Sequence, residues 1–529
     1  MRGTLLFLQL PQLDNDVSGE HENLHLAAAY LAWSARRAGL ADQFRVRIAA
    51  SGVEMLDDHH CAEAIITLKP AVIAATLYLW NVERTLRVLQ LVKHASPSIK
   101  LAVGGPEVAH PHPFLFRAHW IDAIAIGEGE PVFPAILHAF QTGEPPAFAS
   151  VYWNGYHGFR AGHTHATPVD LNRDLPPPAS GRLAPDANGM AYLETTRGCP
   201  LACAYCRYAH LRPTMSHLSP IRVERRIKRL MQNGAREIRL IDPTFNAHPA
   251  FDEMLERLCA LNRGKRVKFF AELRADTITP RQAELLARAN VVEIEIGMQS
   301  RDPTVLRRIR RPARLSPLDR GVALLSRRKI RITLDVMYGL PMQRKKDVLR
   351  SLEWAKNIPR ANPQCMQTLL LPGTDLYDQR RQLGLMAPAL PPYGVTATPA
   401  MPAADIAAIE AFLDRHRTLR SDCRTSRFAG QSLPDLFRER CRVTIANPLA
   451  PHGVLERWSD GVMKPIPGKS ARRALMIAAS GGLFEHRAAI GRLIRIAIRS
   501  EPHIMWQFVL LPVNEEPFDL LDQLSTAIR

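Results

Sequence analysis

Three cysteines within eight residues, Cys199-Pro-Leu-Ala-Cys203-Ala-Tyr-Cys206, are the part of this 529-residue sequence best equipped for chemistry. Thiolate is the metal-binding form of cysteine. Three thiolates in one tight loop can each take an iron of a cubane cluster and leave the fourth iron open to a substrate or cofactor. A zinc site ordinarily wants a fourth cysteine or histidine at compatible spacing, and His210 is near enough to keep that alternative open. The other cysteines show no such pattern. Cys259 falls in a helical period, while Cys61, Cys365, Cys423 and Cys441 have no partner spacing and read as small buried or incidental residues. This usage fits a reducing compartment and a metal site better than a disulfide framework.

A loop that holds a cluster needs rigid elements around it. From residue 191 short apolar runs alternate with amphipathic stretches, which predicts strands at 192–196, 237–241, 267–273, 291–297, 330–337 and 364–370. Ser219-Pro220, Thr279-Pro280, Asp302-Pro303 and Ser316-Pro317 each place a capping side chain before a proline at the first helical position. Gly234 and Gly264 follow helical stretches where a left-handed terminal residue is wanted. Six strands and five crossovers predict a partial parallel barrel over residues 186–400, too few for a closed eight-fold one. The cysteines come directly after its first strand and the Arg197-Gly198 turn.

The region before it follows the same logic. Strands at 5–10, 44–48, 71–77, 100–103 and 123–126, with helical spacing at 24–37 and 82–93, predict an α/β fold over residues 1–140, a doubly wound Rossmann-like sheet. Its ligand site belongs at the carboxyl ends of the strands. Residues 141–185 are rich in Gly, Pro, His and Asp without a sustained period and read as a linker ending at the prolines 176–178. Residues 401–529 predict a mostly helical α+β extension, with helical stretches at 405–417 and 471–499 and a strand-like 506–511. No chemistry is assigned to it.

Composition narrows the class. With 46% apolar and 23% charged residues the chain resembles ordinary globular proteins, and no apolar run approaches the ~20 residues of a spanning helix. The apolar run at 5–10 is too short for a signal core, so a cytoplasmic location is expected. A net charge of +18 raises nucleic acid as a partner, but arginine is spread over the whole length. The runs 222–229 and 307–311 fall on helical patterns and read as solvated faces.

The spacing C-x3-C-x2-C, with Tyr205 before the last cysteine and all of it after the first strand of a βα array, resembles the radical S-adenosylmethionine (SAM) family. The resemblance implies a four-iron four-sulfur cluster held by Cys199, Cys203 and Cys206. It also implies that SAM chelates the open iron and is cleaved by the reduced cluster to methionine and a 5'-deoxyadenosyl radical. An electron donor such as flavodoxin or ferredoxin is then implied. Ligands for SAM or substrate are expected at the strand ends. Asp242 would accept from the methionine amino group, and Glu272, Arg274, Gln299 and Ser300 are candidates for ribose, carboxylate or substrate. Asp335 opens a segment, Asp335-Val-Met-Tyr-Gly-Leu-Pro341, close to the family's fifth-strand signature, with Met342 in place of the usual second glycine. Leu371-Pro-Gly-Thr374 and Pro391-Pro-Tyr393 also resemble the family.

In the first domain, Gly104-Gly105-Pro106-Glu107 and Gly127-Glu128-Gly129-Glu130 follow two strands. Glycines there let the backbone approach a ligand closely. Ahead of a radical SAM core they resemble the cobalamin-binding domain of the cobalamin-dependent subclass, and the resemblance covers roughly residues 1–400. The D-x-H-x-x-G motif that gives cobalt a histidine in several cobalamin proteins is not intact. Asp57-Asp-His59 begins like it, but Ala62 stands at the glycine, and His21, His25, His60 and His94 lack even that context. No histidine is therefore expected on the lower corrin face. Thr76, Tyr78 and Trp80, at the end of the third strand, are candidates to lie against it and keep the cobalt five-coordinate. The resemblance implies methyl transfer through cobalamin to an unactivated carbon, or a phosphinate, of a small-molecule or peptide substrate. Cyclisation or rearrangement with the same cofactors is the alternative. RNA methylthiolation fits less well, because that group carries a second cysteine set before the radical motif and residues 1–198 contain only Cys61. Neither a membrane nor a nucleic acid is expected as partner.

Overall fold

The computed structural model describes residues 3–11, 25–40, 43–54, 56–177, 183–186, 188–208, 214–312, 314–416 and 419. Beyond these it describes 442–446, 457–459, 462–464, 472–477, 491, 494–495, 498–499, 502–503 and 505–510. Strands β1 (Gly3–Leu8), β2 (Phe44–Ile48), β3 (Pro70–Thr76), β4 (Lys100–Gly104) and β5 (Ala123–Ala125) form a parallel sheet in the order β2-β1-β3-β4-β5. Apart from the edge strand β2, where Arg45 and Val46 are exposed, both faces are covered, which is why the inner strands read as nearly continuous apolar runs. Leu6, Leu8, Ile73, Leu101 and Val103 pack with Cys61, Ile65 and Leu89 of helices Asp58–Thr67 and Val82–Ala95. Leu5, Phe7, Val72 and Ala74 pack on the other side with Ala28, Ala35, Phe133 and Leu137 of helices Leu26–Arg37 and Phe133–Thr142. Strand order reverses between β1 and β3, which puts the crevice of a doubly wound sheet at their carboxyl ends.

The stretch expected as a linker is partly folded. Strands β6 (Val151–Gly155) and β7 (Gly158–Ala161) form a hairpin that adds antiparallel to β5 and closes that edge of the sheet. Strands this short alternate over too few residues to show a period.

The second sheet is wholly parallel. It is built from β8 (Met190–Leu193), β11 (Glu237–Leu240), β12 (Lys268–Glu272), β13 (Val291–Gln299), β14 (Arg331–Tyr338) and β15 (Ala361–Gln367), in the order β15-β14-β13-β12-β11-β8. Between β8 and β11, β9 (Thr196–Arg197) and β10 (Ser216–His217) pair with each other. Ile238, Leu240, Phe269, Ala271, Ile294, Ile296, Ile332 and Leu334 bury the outer face against the crossover helices. Alternation therefore turns Tyr192, Arg239, Glu272, Glu295 and Asp335 to the inner face of the partial barrel. Further on, β16 (Arg442–Ala446), β19 (Arg472–Ile477) and β20 (Met505–Leu510) pair in parallel, and β17 (Arg457–Ser459) pairs with β18 (Val462–Lys464).

Helix starts at Pro220, Pro280 and Pro303 fall where the proline pattern puts them, and Thr279 closes a capping box with Gln282. Ser316-Pro317 differs: that helix begins at Leu315 with Arg314 as its cap, so the proline lies inside the first turn, where its missing N–H costs nothing. Gly234 has φ +90, but after the next helix Lys265 (φ +50), not Gly264, takes the left-handed place, and Asn262 holds that turn through Val267 N–H and C=O. Met342, where the family's usual glycine was expected, adopts φ +64 and is 54% exposed, so it takes the left-handed conformation at the surface. The helix expected from residue 471 instead starts as the strand Arg472–Ile477, where Leu475, Met476 and Ile477 offer a short apolar run that periodicity alone cannot tell from a buried helix. Among the described residues no helix is long and apolar enough to cross a membrane.

Two buried polar clasps join the sheets. The Tyr393 hydroxyl donates to Glu107 Oε1 at 2.7 Å, and His112 Nε2 approaches the same oxygen at 3.3 Å. The Arg207 guanidinium donates to Pro372 O at 2.6 Å and also to Val108 O.

Candidate active site between the two sheets

Where the carboxyl ends of β3, β4 and β5 face the start of the second sheet, there is a cavity of about 350 Å3. Small residues, Ala74, Ala75 and Ala102, leave a slot beneath helices Leu26–Arg37 and Phe133–Thr142, and Leu31, Phe133 and Ile136 give it apolar walls. Thr76, Tyr78, Gly104, Gly105, Pro106, Gly127, Glu128, Gly129 and Glu130 all line it. Gly105 has φ +117, and a Cβ there would stand 2.6 Å from Leu77 O; one on Gly129 would meet Leu31 Cδ2 at 2.9 Å. Such a cradle of bare backbone and flat apolar wall suits a large planar group, so the residues present fit cobalamin. Two expected contacts lie elsewhere. Trp80 stacks on Tyr78 (4.4 Å, 10°) and is 51% exposed, and Glu107 is spent on the Tyr393 clasp.

The histidines of this domain have other work. His25 Nε2 is 3.0 Å from Glu54, His60 Nδ1 is 2.9 Å from Asp57, and Asp57 caps the helix Asp58–Thr67 by accepting from His60 N–H. The partial D-D-H motif is thus a helix start. His94 lies in the last turn of its helix, and His21 is outside the described residues.

The far wall of the cavity comes from Glu194, Arg197, Tyr208 and Ile241. Arg197 is its centre. Nε and Nη2 each donate to Glu194 at 2.8 Å, and Nη1 donates to Glu128 at 3.1 Å and Glu130 at 2.9 Å. Burial works against the guanidinium's charge, but Glu194, Glu130 and Glu128 outweigh it and raise its pKa. One side chain therefore holds the Gly-Glu-Gly-Glu loop onto the strand that leads into the cysteines. Tyr30, from the first helix, lies under it (5.8 Å to the ring centre), and burial pushes the Tyr30 hydroxyl's pKa up.

None of the three motif cysteines forms a disulfide with a described residue; Cys203 is buried and the other two are half-buried. The loop is fixed by its backbone. Cys206 N–H donates to Cys203 O at 3.0 Å, Ala204 N–H to Ile309 O at 2.9 Å, and Leu376 N–H to Ala204 O at 2.8 Å. Cys199 Sγ is 3.5 Å from Thr244 Oγ1. Among the described residues no three His, Cys, Asp or Glu side chains converge on one metal position. A cubane does not ask for that, since it takes each thiolate on a different iron, and three cysteines outside any described disulfide on one pinned loop fit it. His210 lies outside the described residues. Burial pushes the Cys61 thiol up to about 12, as befits an inert core residue.

The strand-end candidates divide. Asp242 is fully buried. Oδ1 accepts from Thr195 N (2.7 Å) and Thr196 N (2.8 Å), and Oδ2 meets the Thr195 hydroxyl, so this carboxyl holds the chain ahead of the cysteines instead of facing an open site. Burial pushes its pKa up to about 7. Arg274 is engaged by Asp276 in a two-point pair (3.0 Å and 2.6 Å), and Ser300 Oγ accepts from Asp302 N–H at 3.1 Å. Glu272 and Asp335 turn to the inner face; Gln299 is buried at φ +66.

Sequence patterns missed Arg311. Placed in a solvated run, it points inward, with Nη1 3.5 Å from both Cys203 Sγ and Tyr205 Oη and Nη2 on Gly297 O. Arg226 is a second exception, donating to Pro176 O at 2.9 Å. No local signal marks either, because both partners come from remote segments.

Residues 193–355 match the family model of the radical SAM superfamily, and residues 17–137 match that of the B12 binding domain. Among curated proteins, the chain is 29% identical over 196 residues to 2-(S-pantetheinyl)-carbapenam-3-carboxylate methyltransferase of Streptantibioticus cattleyicolor, covering 34% of this chain and 28% of that one. It is 27% identical over 233 residues to the cobalamin-dependent radical SAM methyltransferase TokK of Streptomyces tokunonensis (41% and 32%). The matched region is thus about a third of the length of these relatives. Among solved structures, the cobalamin-dependent S-adenosylmethionine radical enzyme OxsB with aqua-cobalamin and S-adenosylmethionine bound superposes with a TM-score of 0.63 at 16% identity, over 79% of this chain and 67% of that one. At that identity the likeness is one of fold.

Proposed function

Because the chain belongs to the cobalamin-dependent radical SAM enzymes, whose cofactors are a four-iron four-sulfur cluster, SAM and cobalamin, we propose that it is a methyltransferase acting on an unactivated carbon, or a phosphinate, of a small-molecule or peptide substrate. The observation that carries this is Arg197. It links the loop lining the slot to the strand end that leads into Cys199, so one guanidinium sets the spacing between two cofactor sites. When bound, the cluster and SAM supply radical and methyl chemistry and cobalamin a methyl carrier, while the protein supplies binding and orientation.

On this proposal residues 1–140 hold cobalamin. Thr76 and Tyr78 reach the rim of the slot, and the backbones of Gly104, Gly105, Gly127 and Gly129 form its floor. Residues 186–400 hold the cluster through Cys199, Cys203 and Cys206, with Arg311 placing positive charge beside Cys203. Asp242 positions the cysteine loop by way of Thr195 and Thr196. Glu272, Arg274, Gln299, Ser300 and Asp335 would face SAM and substrate. Flavodoxin or ferredoxin is proposed as electron donor.

The test is anaerobic reconstitution with iron, sulfide and cobalamin, chemical reduction in the presence of SAM, and mass spectrometry of the SAM products. Deoxyadenosine together with adenosylhomocysteine is expected, and both should vanish in Cys203→Ala. Deoxyadenosine without adenosylhomocysteine would replace methyl transfer by cyclisation or rearrangement.

A further inference from the structure

The cysteine loop is backed by two basic segments. Ala204, next in the chain to Cys203, donates its N–H to Ile309 O at 2.9 Å and accepts from Leu376 N–H at 2.8 Å. These two bonds lay the end of helix Pro303–Arg308 and the short helix Asp375–Asp378 directly on the loop. Tyr205 packs with Val305, Leu306 and Ile309 from the first segment and with Leu376 and Leu385 from the second. One layer of residues therefore separates this face from the cysteines.

Residues 303–310 hold Arg307, Arg308 and Arg310 and no acid, and Arg380 and Arg381 follow the second helix. The segments make one continuous face, because Arg310 pairs with Asp375 and Arg308 Nη2 reaches Gln379 Oε1 at 3.4 Å. The other cations keep neutral company. Arg307 meets the Thr304 hydroxyl at 3.3 Å, and Arg380 donates to Tyr377 O at 2.6 Å while lying over that ring. Among the described residues no carboxylate pairs with Arg307, Arg308, Arg380 or Arg381. Met386, next after the buried Leu385, is 63% exposed and adds an apolar spot.

A basic face by itself needs no partner, and helix Pro220–Gln232 carries one on the outside of the barrel, where Glu224 pairs with Arg257. Position distinguishes the arginines behind Ala204. Elsewhere around the cysteines the approach is taken: Arg197 joins Glu128 and Glu130, Arg207 is in the clasp with Val108 O and Pro372 O, and Arg311 turns inward to Gly297 O. Electron transfer weakens steeply with distance, so a carrier protein must seat where the cover is thin.

We propose that the face bearing Arg307, Arg308, Arg380, Arg381 and Met386 is the docking surface for reduced flavodoxin, a small acidic protein with its redox group at the surface. It rests on the electron donor proposed above and gives it a place on the fold. One electron leaves the carrier, which is oxidised by one electron, and the cluster goes from its 2+ to its 1+ charge, with no bond or proton exchanged. Redox encounters are small and steered by charge, which suits a few exposed arginines around an apolar spot.

The probe is purified flavodoxin with the reconstituted holoprotein. Calorimetry with oxidised flavodoxin measures binding, and deoxyadenosine formed from SAM is compared between reduced flavodoxin and titanium(III) citrate, a small reductant that needs no docking. Arg307→Glu with Arg381→Glu should weaken binding and lower the flavodoxin-driven kcat/KM by about tenfold or more, leaving the titanium-driven rate within about twofold. Arg308→Gln should shift both flavodoxin readouts the same way by less. Arg225→Glu with Lys228→Glu, on the outer helix, changes the net charge equally and should match the parent. Added salt should weaken flavodoxin binding to the parent and narrow its gap from the first pair. Unchanged flavodoxin binding and kinetics in that pair, an equal loss with titanium, an equal loss in the outer-helix pair, or a parent that flavodoxin neither binds nor reduces overturns the proposal. SAM products formed by the parent under titanium(III) citrate report the methyltransferase proposal separately.

Discussion

Replacing Asp242 by asparagine removes one titration while keeping the geometry around it. The native carboxyl is 0% exposed, and its Oδ1 takes both backbone N–H groups of Thr195 and Thr196. An asparagine Oδ1 can take the same two bonds and turn Nδ2 to the Thr195 hydroxyl. Burial pushes the native pKa from an ordinary 3.8 to about 7. A carboxyl raised in the folded state contributes stability that is complete below its unfolded pKa and is lost as pH rises through the folded one. Three units correspond to about 4 kcal/mol in all, of which roughly 2.5 kcal/mol falls between pH 5 and pH 8. Anaerobic urea unfolding of the full chain at pH 5 and pH 8 measures it, with variant compared against parent at each pH so that other titrating groups cancel. The variant should gain on the parent by roughly that amount as pH rises. Parallel pH profiles, or a loss of the same size at every pH, would refute the argument that burial raises the pKa of Asp242.

Two further outcomes probe the junction of the sheets. Arg197→Met leaves Glu128, Glu130 and Glu194 without their shared counterion; its side chain is only 13% exposed, so a penalty of about 3–5 kcal/mol is expected. The variant should lose cobalamin absorbance while retaining iron, and full cobalamin retention with an unchanged Tm would contradict the role given to it. Gly105→Ala forces a side chain to φ +117 and 2.6 Å from Leu77 O, costing about 1–3 kcal/mol and weakening cobalamin uptake. Gly104→Ala meets Ala125 O at 3.5 Å and Ala125 Cβ at 3.8 Å, both ordinary contacts, and should leave Tm nearly unchanged, so equal losses of stability at the two glycines would count against the strain assigned to Gly105.

Much of the architecture was legible locally. Short apolar or alternating runs marked the strands of both sheets, and cap-proline pairs marked three of four helix starts, because both signals arise within a few residues. The hairpin at Val151–Ala161 escaped because its strands are too short to show a period, and Ser316-Pro317 misled because proline is tolerated anywhere in a first turn. The candidate site was legible where chemistry is carried by spacing, as in the three cysteines and the glycine pairs. It was illegible where a residue's role depends on a remote partner.

The sequence alone therefore determined the chemical class: three thiols on one loop after a strand, behind a domain with glycines at its strand ends, specify cofactors through backbone-local features. Tertiary structure decided which of the expected polar residues are already engaged by the protein itself. Asp242 looked like a ligand and is a buried brace on Thr195 and Thr196; Glu107 looked like a cofactor contact and clasps Tyr393; Arg311 looked solvated and stands against Cys203. In each case the partner lies 46 or more positions away in the chain, and a charge's function is set by which opposite charge or donor the fold brings to it.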